Sequence, residues 1–398
     1  MSDREDRMLL ALLAYELFGG ALPEDADGVD WPGLMQKAND HAVTALLYSG
    51  VKEMEGVPEA IVGRARGMAL QASICSERVL NEQARIIALL TEGGIPCAVL
   101  KGTSVACLYP HPEVRLPGDV DILVGEEKLD AADAVMRAAG FSFEQDGEKH
   151  RNYRKADVLV EVHRVTSLFP YTEKGQFADA YMRAALDETA TGCMGGVSFP
   201  MLTVKFQLVA LLAHMVQHMT SSGIGLRQLC DWAVTVHQLR GSIGQEDVEL
   251  LHRCGLLRYA SIVTRACEKY LGLPACGWRQ DVPDELVDAT MADILEVGNF
   301  YAQQGERTLS STMMSNRREA QPGSHNPVVN YFRYARYLME VQYPWAKSPL
   351  WVPIFSVYFP LRWVIRVMRG QRKGANPIKS MKTAQIREKL LREMELYR

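Results

Sequence analysis

Apolar residues recur at helical spacing along the first part of the chain. This spacing predicts helices over Arg4 to Phe18, Trp31 to Met54 and Glu59 to Leu90. Asp30 is placed to cap the second helix, and a pair of glycines follows the third. The pattern predicts an N-terminal helical region, which we assign to residues 1–94.

Shorter apolar runs, typical of strands, fill residues 95–200. Strand-like runs at Ala98 to Leu100, Val120 to Val124 and Val158 to Val162 surround an amphipathic helix predicted over Lys128 to Ala139. A strand and helix followed by a meander imply a small mixed β-sheet covered by helices. The predicted fold class is therefore α+β, with helical regions before and after the sheet.

Helical spacing returns after residue 200. The predicted helices are Thr203 to Thr220, Arg227 to Leu239, Val248 to Leu271 and Pro283 to Tyr301. We assign residues 201–302 to a helical domain and residues 303–327, which are rich in Ser, Arg, Asn and Gly, to a loop or linker. Residues 328–398 form a C-terminal region that is helical, aromatic and basic in composition.

Two aspartates mark the centre of the sheet region. Asp119 and Asp121 flank Val120, and side chains two apart on a strand point the same way. Like charges held side by side need a cation to neutralise them, and carboxylate oxygens suit magnesium. Glu161 interrupts a second apolar strand and is a candidate third ligand. The alternative is that the two aspartates are solvated at a turn.

The segment just upstream has features of a phosphate-binding loop. An apolar strand runs into Lys101, Gly102, Thr103 and Ser104, and apolar residues of helical character follow. A strand that turns through glycine presents backbone N–H groups that attract phosphate, and Lys101 and Arg115 could add charged contacts.

These residues resemble the nucleotidyltransferase fold of the DNA polymerase beta superfamily. More closely, the LKG, GDVD and EVH motifs, with an arginine between the first two, resemble the bacterial group labelled uncharacterised nucleotidyltransferase. Thr103 stands where the superfamily usually has Ser or Gly, and the interval to Asp119 is longer than usual. The segments WPGLMQKANDHAVTALLY and EGGIPCAVLKG extend the resemblance through the first part of the chain.

The resemblance implies a magnesium-dependent nucleotidyltransferase that moves a nucleoside monophosphate, AMP above all, from an NTP to an acceptor hydroxyl and releases pyrophosphate. Asp119, Asp121 and Glu161 would hold two Mg²⁺ ions, with Mn²⁺ as an alternative, and Glu161 could accept the acceptor's proton. The phosphates would bind Lys101, Gly102, Thr103, Ser104 and Arg115. The acceptor molecule is not identified by the sequence.

A resemblance to the same group continues in LLAHMVQHM and GLRQLCDW. It makes His214, Arg227 and Asp231 candidates for residues that face the substrate or support the site. His163 of the EVH motif is a further candidate. A polar contact between helices is an equal alternative. His214 and His218 share a helix face, but core or capping histidines are more common than a metal pair at this spacing.

Composition adds limits on compartment and partners. With 47% hydrophobic and 23% charged residues, the chain has the composition of a globular protein, and its net charge of −4 gives no general attraction to nucleic acid. Eight cysteines without a CxxC pair favour reduced thiols, and the acidic N-terminus does not resemble a signal peptide. We expect a cytoplasmic protein.

An apolar and aromatic stretch from Pro349 to Met368 leaves two interpretations open. Prolines and arginines interrupt it, so it is not an uninterrupted membrane span. Burial against the helical domain is the favoured interpretation. The other is peripheral contact with the inner face of the membrane, which its aromatic residues and the basic segment Arg369 to Lys382 would suit.

Two other functions remain open on the sequence alone. One is a nucleotide-binding regulatory protein that has kept the fold and lost turnover, against which the intact Asp119, Asp121 and Glu161 argue. The other is a membrane-surface adaptor that acts through its C-terminal region.

Overall fold

The computed structural model describes residues 4–24, 26–220, 223–297, 348–369 and 377–398, together with single positions between 332 and 346. The predicted loop at 303–327 and the end of the predicted helix Pro283 to Tyr301 lie outside these residues.

Four helices precede the sheet. They are α1 (Arg4–Phe18), α2 (Trp31–Asp40), α3 (Tyr48–Val51) and α4 (Glu59–Glu92). Asp30 caps α2 as predicted, because its carboxylate accepts a 3.1 Å hydrogen bond from the Gly33 N–H. The single helix predicted over Trp31 to Met54 is instead divided. The backbone turns at Ala42, where φ is +55°, and a 3₁₀ turn over Thr44–Leu47 leads into α3.

The middle of the chain forms a mixed sheet. Its elements are β1 (Ala98–Val99), α5 (Thr103–Ala106), β2 (Val120–Leu123), α6 (Leu129–Ala138), β3 (Ser142–Asp146), β4 (His150–Lys155), β5 (Val158–His163), α7 (Glu173–Met182), β6 (Thr189–Met194) and β7 (Val197–Leu202). The strand order is β3-β4-β5-β2-β1-β7-β6. The pairs β2 with β5 and β1 with β7 are parallel, and the other pairs are antiparallel. The α+β class predicted from the sequence is confirmed.

The hairpin of β6 and β7 was not predicted. Its turn is Gly195-Gly196, and both glycines have positive φ, at +55° and +79°. Two adjacent residues with positive φ form the tight turn that matches the twist of a hairpin, which is the reason for the glycine pair. The hairpin extends the sheet beyond β1.

The two faces of the sheet have different chemistry. Val120 and Ile122 of β2 point to one face, where they pack with Ile86 of α4 and Met136 of α6 in an apolar core. Because side chains alternate along a strand, Asp121 lies on the opposite face. That second face is the one on which a candidate site can form.

The described residues after the sheet include seven helices whose bounds are defined. They are α8 (Val204–Met219), α9 (Leu226–Leu239), α10 (Gln245–Arg253), α11 (Leu257–Leu271), α12 (Asp284–Val297), α13 (Val352–Met368) and α14 (Pro377–Glu393). The helix predicted over Val248 to Leu271 is broken at Gly255, where φ is +67°. The largest apolar core joins α1, α8, α9 and α11 with residues of the sheet. The division into five regions stays a prediction.

Helix α13 differs from the favoured prediction. Its residues Ile354, Val357 and Leu361 are exposed at 57%, 61% and 56%, so burial against the helical domain is wrong for this face. Within the described ranges, every helix falls short of the apolar length needed to cross a bilayer.

The end of the chain packs tightly against Gly255. The Tyr397 N–H donates a 2.8 Å hydrogen bond to the Gly255 carbonyl, and a Cβ added to Gly255 would lie 2.6 Å from the Tyr397 Cα. Gly272 also has positive φ, at +74°, but the nearest atom to an added Cβ is 3.7 Å away, on Ala14. A side chain at Gly272 would therefore meet backbone strain alone, whereas a side chain at Gly255 would meet backbone strain and steric overlap.

We expect Gly272→Ala to lower the free energy of unfolding by ~1 kcal/mol through backbone strain. Gly255→Ala should lower it by ~1–3 kcal/mol more, because the new methyl group must displace the C-terminal backbone. Urea denaturation of both variants measures the difference. Equal losses would contradict the tight packing of the C-terminus on Gly255.

Candidate active site

Two parallel strands bring the three predicted carboxylates together. Asp121 on β2 pairs in register with Glu161 on β5, and Asp119 lies two residues before Asp121, directly before β2. One oxygen from each side chain can be chosen so that all three lie within 4.8 Å of one another. The side chains are exposed at 30% for Asp119, 13% for Glu161 and 1% for Asp121. The cluster therefore opens to solvent on the Asp119 side.

The carboxylate cluster fits a divalent metal ion. The Oδ2 atom of Asp121 is buried and has no hydrogen-bond partner, so it can still accept a ligand. Buried polar atoms are normally paired, so an unpaired oxygen on a carboxylate of this cluster favours a cation ligand. Three hard oxygen donors suit Mg²⁺ or Mn²⁺.

Lys101 lies among the same three carboxylates. Its Nζ is 2.9 Å from Asp121 Oδ1, 3.8 Å from Asp119 Oδ2 and 3.9 Å from Glu161 Oε2. Burial by itself would lower the pKa of Lys101, but the neighbouring carboxylates outweigh burial and raise it. Lys101 is therefore a fixed positive charge that offsets one of the three negative charges.

Two histidines border the cluster on the β4 side. His163 is fully buried, with its Nε2 2.9 Å from Asp121 Oδ1 and 3.3 Å from Glu161 Oε2. Burial opposes ionisation of Glu161, but His163 and Lys101 prevail and lower its pKa to about 2. His150 Nδ1 lies 3.1 Å from Glu161 Oε2, and burial lowers the pKa of His150 to about 4. His150, Glu161 and His163 form a second group that could hold a metal.

The predicted phosphate loop has one glycine with positive φ and two buried hydroxyls. Gly102 has φ +65° before the four-residue helix α5. The Thr103 hydroxyl donates a 2.5 Å hydrogen bond to Gln83 Oε1 on α4. Ser104 is fully buried, and its Oγ has no hydrogen-bond partner. The two hydroxyls therefore point into the protein, and Lys101 is the loop side chain that reaches the carboxylates.

Arg115 and Asp231 form a buried ion pair. The guanidinium donates two hydrogen bonds to the carboxylate, at 2.7 and 2.8 Å, and the Tyr109 hydroxyl donates a third at 2.7 Å. This geometry occupies the guanidinium that we expected to contact phosphate. For Asp231 it matches the alternative of a polar contact, here between α9 and the loop that leads to Asp119.

Arg227 and Lys149 are further cations near the carboxylates. Arg227 lies one turn before Asp231 on α9, and its Nε is buried without a hydrogen-bond partner. Burial and the neighbouring Arg115 lower the pKa of Arg227. Lys149 precedes β4, and burial followed by the charge of Lys101 lowers its pKa, against the opposite effect of Asp121. In each case a neighbouring cation adds to the effect of burial, so an anionic ligand beside either side chain would favour its charged form.

His214 and His218 stack edge to face on α8, with ring centroids 4.4 Å apart. Burial, reinforced by the charge of Lys101, lowers the pKa of His214 well below its ordinary value and that of His218 to about 4. Both rings are therefore neutral at pH 7. In the part of the chain that the structure describes, neither belongs to a group of three or more side chains that could hold a metal.

The sequence did not single out Lys149 or His150. His150 pairs with His163 across β4 and β5, so it lies on the same face as the carboxylates. A period-two pattern identifies the face of each strand, but the register between strands decides which residues meet.

Comparison with known proteins identifies the family. The family model for "uncharacterised nucleotidyltransferase" matches residues 27–272, which is more than half of the chain. The chain belongs to this family. The match covers α4, the whole sheet and helices α8 to α11, so it includes the residues Asp119, Asp121 and Glu161.

Other comparisons add little to the nucleotidyltransferase family match. A solved structure, the antibiotic-resistance factor ANT(2'')-Ia, is similar over 49% of this chain and 99% of its own, with 13% identity and a TM-score of 0.32. No curated protein matches the chain. The family membership therefore rests on the family model.

The Arg115–Asp231 pair allows a double-mutant test. Asp231→Leu leaves a buried guanidinium without its carboxylate and should lower the free energy of unfolding by ~3–5 kcal/mol. Adding Arg115→Met removes the unpaired charge, so the double variant should recover most of that loss. Urea denaturation of the wild type, both single variants and the double variant measures the coupling. A double variant no more stable than Asp231→Leu would contradict the assignment.

Proposed function

We propose that this protein is a magnesium-dependent nucleotidyltransferase that transfers AMP from ATP to an acceptor hydroxyl and releases pyrophosphate. The observation that carries the proposal is the meeting of Asp119, Asp121 and Glu161, with oxygens within 4.8 Å of one another, in a chain of the nucleotidyltransferase family. Mn²⁺ is a proposed substitute for Mg²⁺, because it accepts the same oxygen donors.

The reaction requires charge neutralisation at two oxygens. The acceptor oxygen forms a bond to the α-phosphorus, the bond from that phosphorus to the bridging oxygen of pyrophosphate breaks, and the acceptor hydroxyl loses its proton. Metal ions bound by the three carboxylates would supply positive charge to the attacking and leaving oxygens. The cluster's excess of negative charge over Lys101 suits this demand for divalent ions.

We assign the phosphate contacts to the cations around the cluster. Lys101 and the backbone of Gly102, Thr103 and Ser104 are proposed to contact the triphosphate, as the resemblance implies. Arg227 is a better candidate than Arg115 for a further phosphate contact, since its Nε lacks a partner while Arg115 is held by Asp231. Arg115 is proposed as a positioning residue for the loop before Asp119.

Glu161 is proposed as a metal ligand in preference to a general base. A general base works best when its pKa lies near the working pH, and the pKa of Glu161 is lowered to about 2. A carboxylate that stays ionised at all physiological pH values is suited to hold a metal ion. The sequence-based suggestion that Glu161 accepts the acceptor's proton therefore gains no support from this geometry.

The competing function is a nucleotide-binding protein without turnover. Such a protein has no need to keep three carboxylates around one partly open cluster, whose mutual repulsion is unfavourable unless a cation is bound. We propose catalysis on this ground. The proposed partners are ATP and an acceptor that carries a hydroxyl group, and the eight free thiols support a reducing compartment such as the cytoplasm.

Label transfer tests the proposal. The purified protein is incubated with each α-³²P-labelled NTP, Mg²⁺ and a lysate of the source organism, and the labelled product is located by chromatography. We expect label from ATP to appear on an acceptor. Asp119→Asn keeps the shape of the side chain and removes a metal ligand, so transfer should fall by at least ~1000-fold.

Asp281→Asn is the matched control, because Asp281 is fully exposed outside the cluster. It should transfer label at the wild-type rate. Wild-type transfer by Asp119→Asn would contradict the assignment of the carboxylates. Binding of ATP without any transferred label, in lysate and with every NTP, would favour the non-catalytic alternative.

A further inference from the structure

Helix α13 exposes a continuous apolar stripe. We call Ile354, Val357, Leu361, Val364, Ile365 and Met368 the α13 stripe; all six are exposed, with Met368 at 82%. Apart from the adjacent pair Val364 and Ile365, neighbours in this set are three or four residues apart, which places them along one side of the helix. Contiguous exposed apolar surface of this kind marks an interaction site.

The opposite side of α13 already has a partner. Phe355 is buried with Met339 and Ala346 in a small apolar cluster, against which Tyr343 and Phe359 also pack. This cluster fixes which side of the helix faces the protein. The α13 stripe is therefore an outer face.

The sequence segment that contains the α13 stripe is basic and lacks acidic residues. Residues 341–386 contain no aspartate or glutamate and eight basic residues, which are Lys347, Arg362, Arg366, Arg369, Arg372, Lys373, Lys379 and Lys382. Since the whole chain carries −4, the remaining residues carry −12. The apolar stripe thus lies in the one long segment of the chain that an anionic surface would attract.

Aromatic side chains adjoin the stripe. Trp345, Trp351 and Tyr358 are exposed at 68%, 38% and 40%. Tryptophan and tyrosine favour the boundary between lipid headgroups and acyl chains, where an apolar ring and a polar tip are both accommodated. A protein partner would not require this combination with a segment that lacks acidic residues.

The α13 stripe precedes a helix that packs against the rest of the protein. Helix α14 follows it, and Arg387 on α14 donates a 2.6 Å hydrogen bond to the Met219 carbonyl at the end of α8. Leu390 and Met394 are buried in the main core.

We propose that the α13 stripe and the basic segment around it bind the surface of a membrane that contains anionic phospholipid. The helix lies along the surface, with its apolar stripe among the acyl chains and the arginines and lysines at the headgroups. This inference is independent of the proposed transferase function.

Co-sedimentation with sucrose-loaded vesicles tests the inference on the full chain. One vesicle preparation is phosphatidylcholine alone, and the other is an equimolar mixture of phosphatidylcholine and phosphatidylglycerol. We expect the protein to bind the mixed vesicles, to bind phosphatidylcholine much more weakly, and to lose affinity as salt is raised.

Val357→Gln/Leu361→Gln removes two stripe residues without changing charge. Removal of two inserted apolar side chains should weaken binding to the mixed vesicles by at least ~10-fold. Leu70→Gln/Ile74→Gln on α4 is the matched control, since these residues have the same spacing and exposures of 63% and 60%. It should bind as the wild type does. Circular dichroism melting confirms that each variant is folded.

Three results would overturn the inference. The first is a wild-type protein that does not co-sediment with the mixed vesicles. The second is equal binding by the stripe variant. The third is a wild-type dimer that the stripe variant dissociates, without lipid binding by either, which would make the stripe an interface between copies of this chain.

Discussion

The sheet holds three carboxylates side by side, and the candidate site is built around their mutual repulsion. Pairing of β2 with β5 places Asp121 opposite Glu161, and the alternation of β2 adds Asp119 on the same face. Lys101 and His163 lower the energetic cost of this arrangement, which is why the pKa values of Asp121 and Glu161 are lowered despite burial. They do not cancel it, since one oxygen of Asp121 remains without a partner.

The helical region supports the same site from the other side. The Arg115–Asp231 pair joins α9 to the loop that ends at Asp119, over 116 residues of sequence, and both side chains are almost completely buried. A buried pair of this kind adds little net stability, but it fixes the relative position of the groups it joins. Burial lowers the pKa of Arg227, which lies one turn away, and the charge of Asp119 opposes this effect. The family match, which spans the sheet and α8 to α11, is consistent with one unit built from both parts.

Much of this arrangement could be predicted from local sequence. The alternation around Asp121 and Glu161 predicted both strands, their shared chemistry and the α+β class. The β6–β7 hairpin was missed because Thr189–Met194 contains no Val, Ile, Leu or aromatic residue, so its strand signal is weak. The break in the helix predicted from Trp31 was missed because Ala42, a strong helix former, adopts positive φ there. Arg115 was assigned to phosphate and Lys149 was overlooked. The partners of both residues lie on other elements, and local patterns do not encode contacts between elements.

The exposed face of α13 illustrates the same limit. Its apolar periodicity predicted a helix, and the structure has one, but periodicity alone does not state what an apolar face contacts. The absence of acidic residues from 341–386 was available in the sequence and is the feature that distinguishes this helix from an ordinary core helix.

We propose that Asp119, Asp121 and Glu161 hold metal ions for the triphosphate. Titration of the protein with Mn²⁺ in the presence of a non-hydrolysable ATP analogue, followed by electron paramagnetic resonance, tests it most directly. We expect two bound ions per chain in the wild type. Glu161→Gln should lose one of them and keep an affinity for the ATP analogue close to that of the wild type. Two bound ions in Glu161→Gln, or none beyond those carried by the free analogue in the wild type, would contradict it.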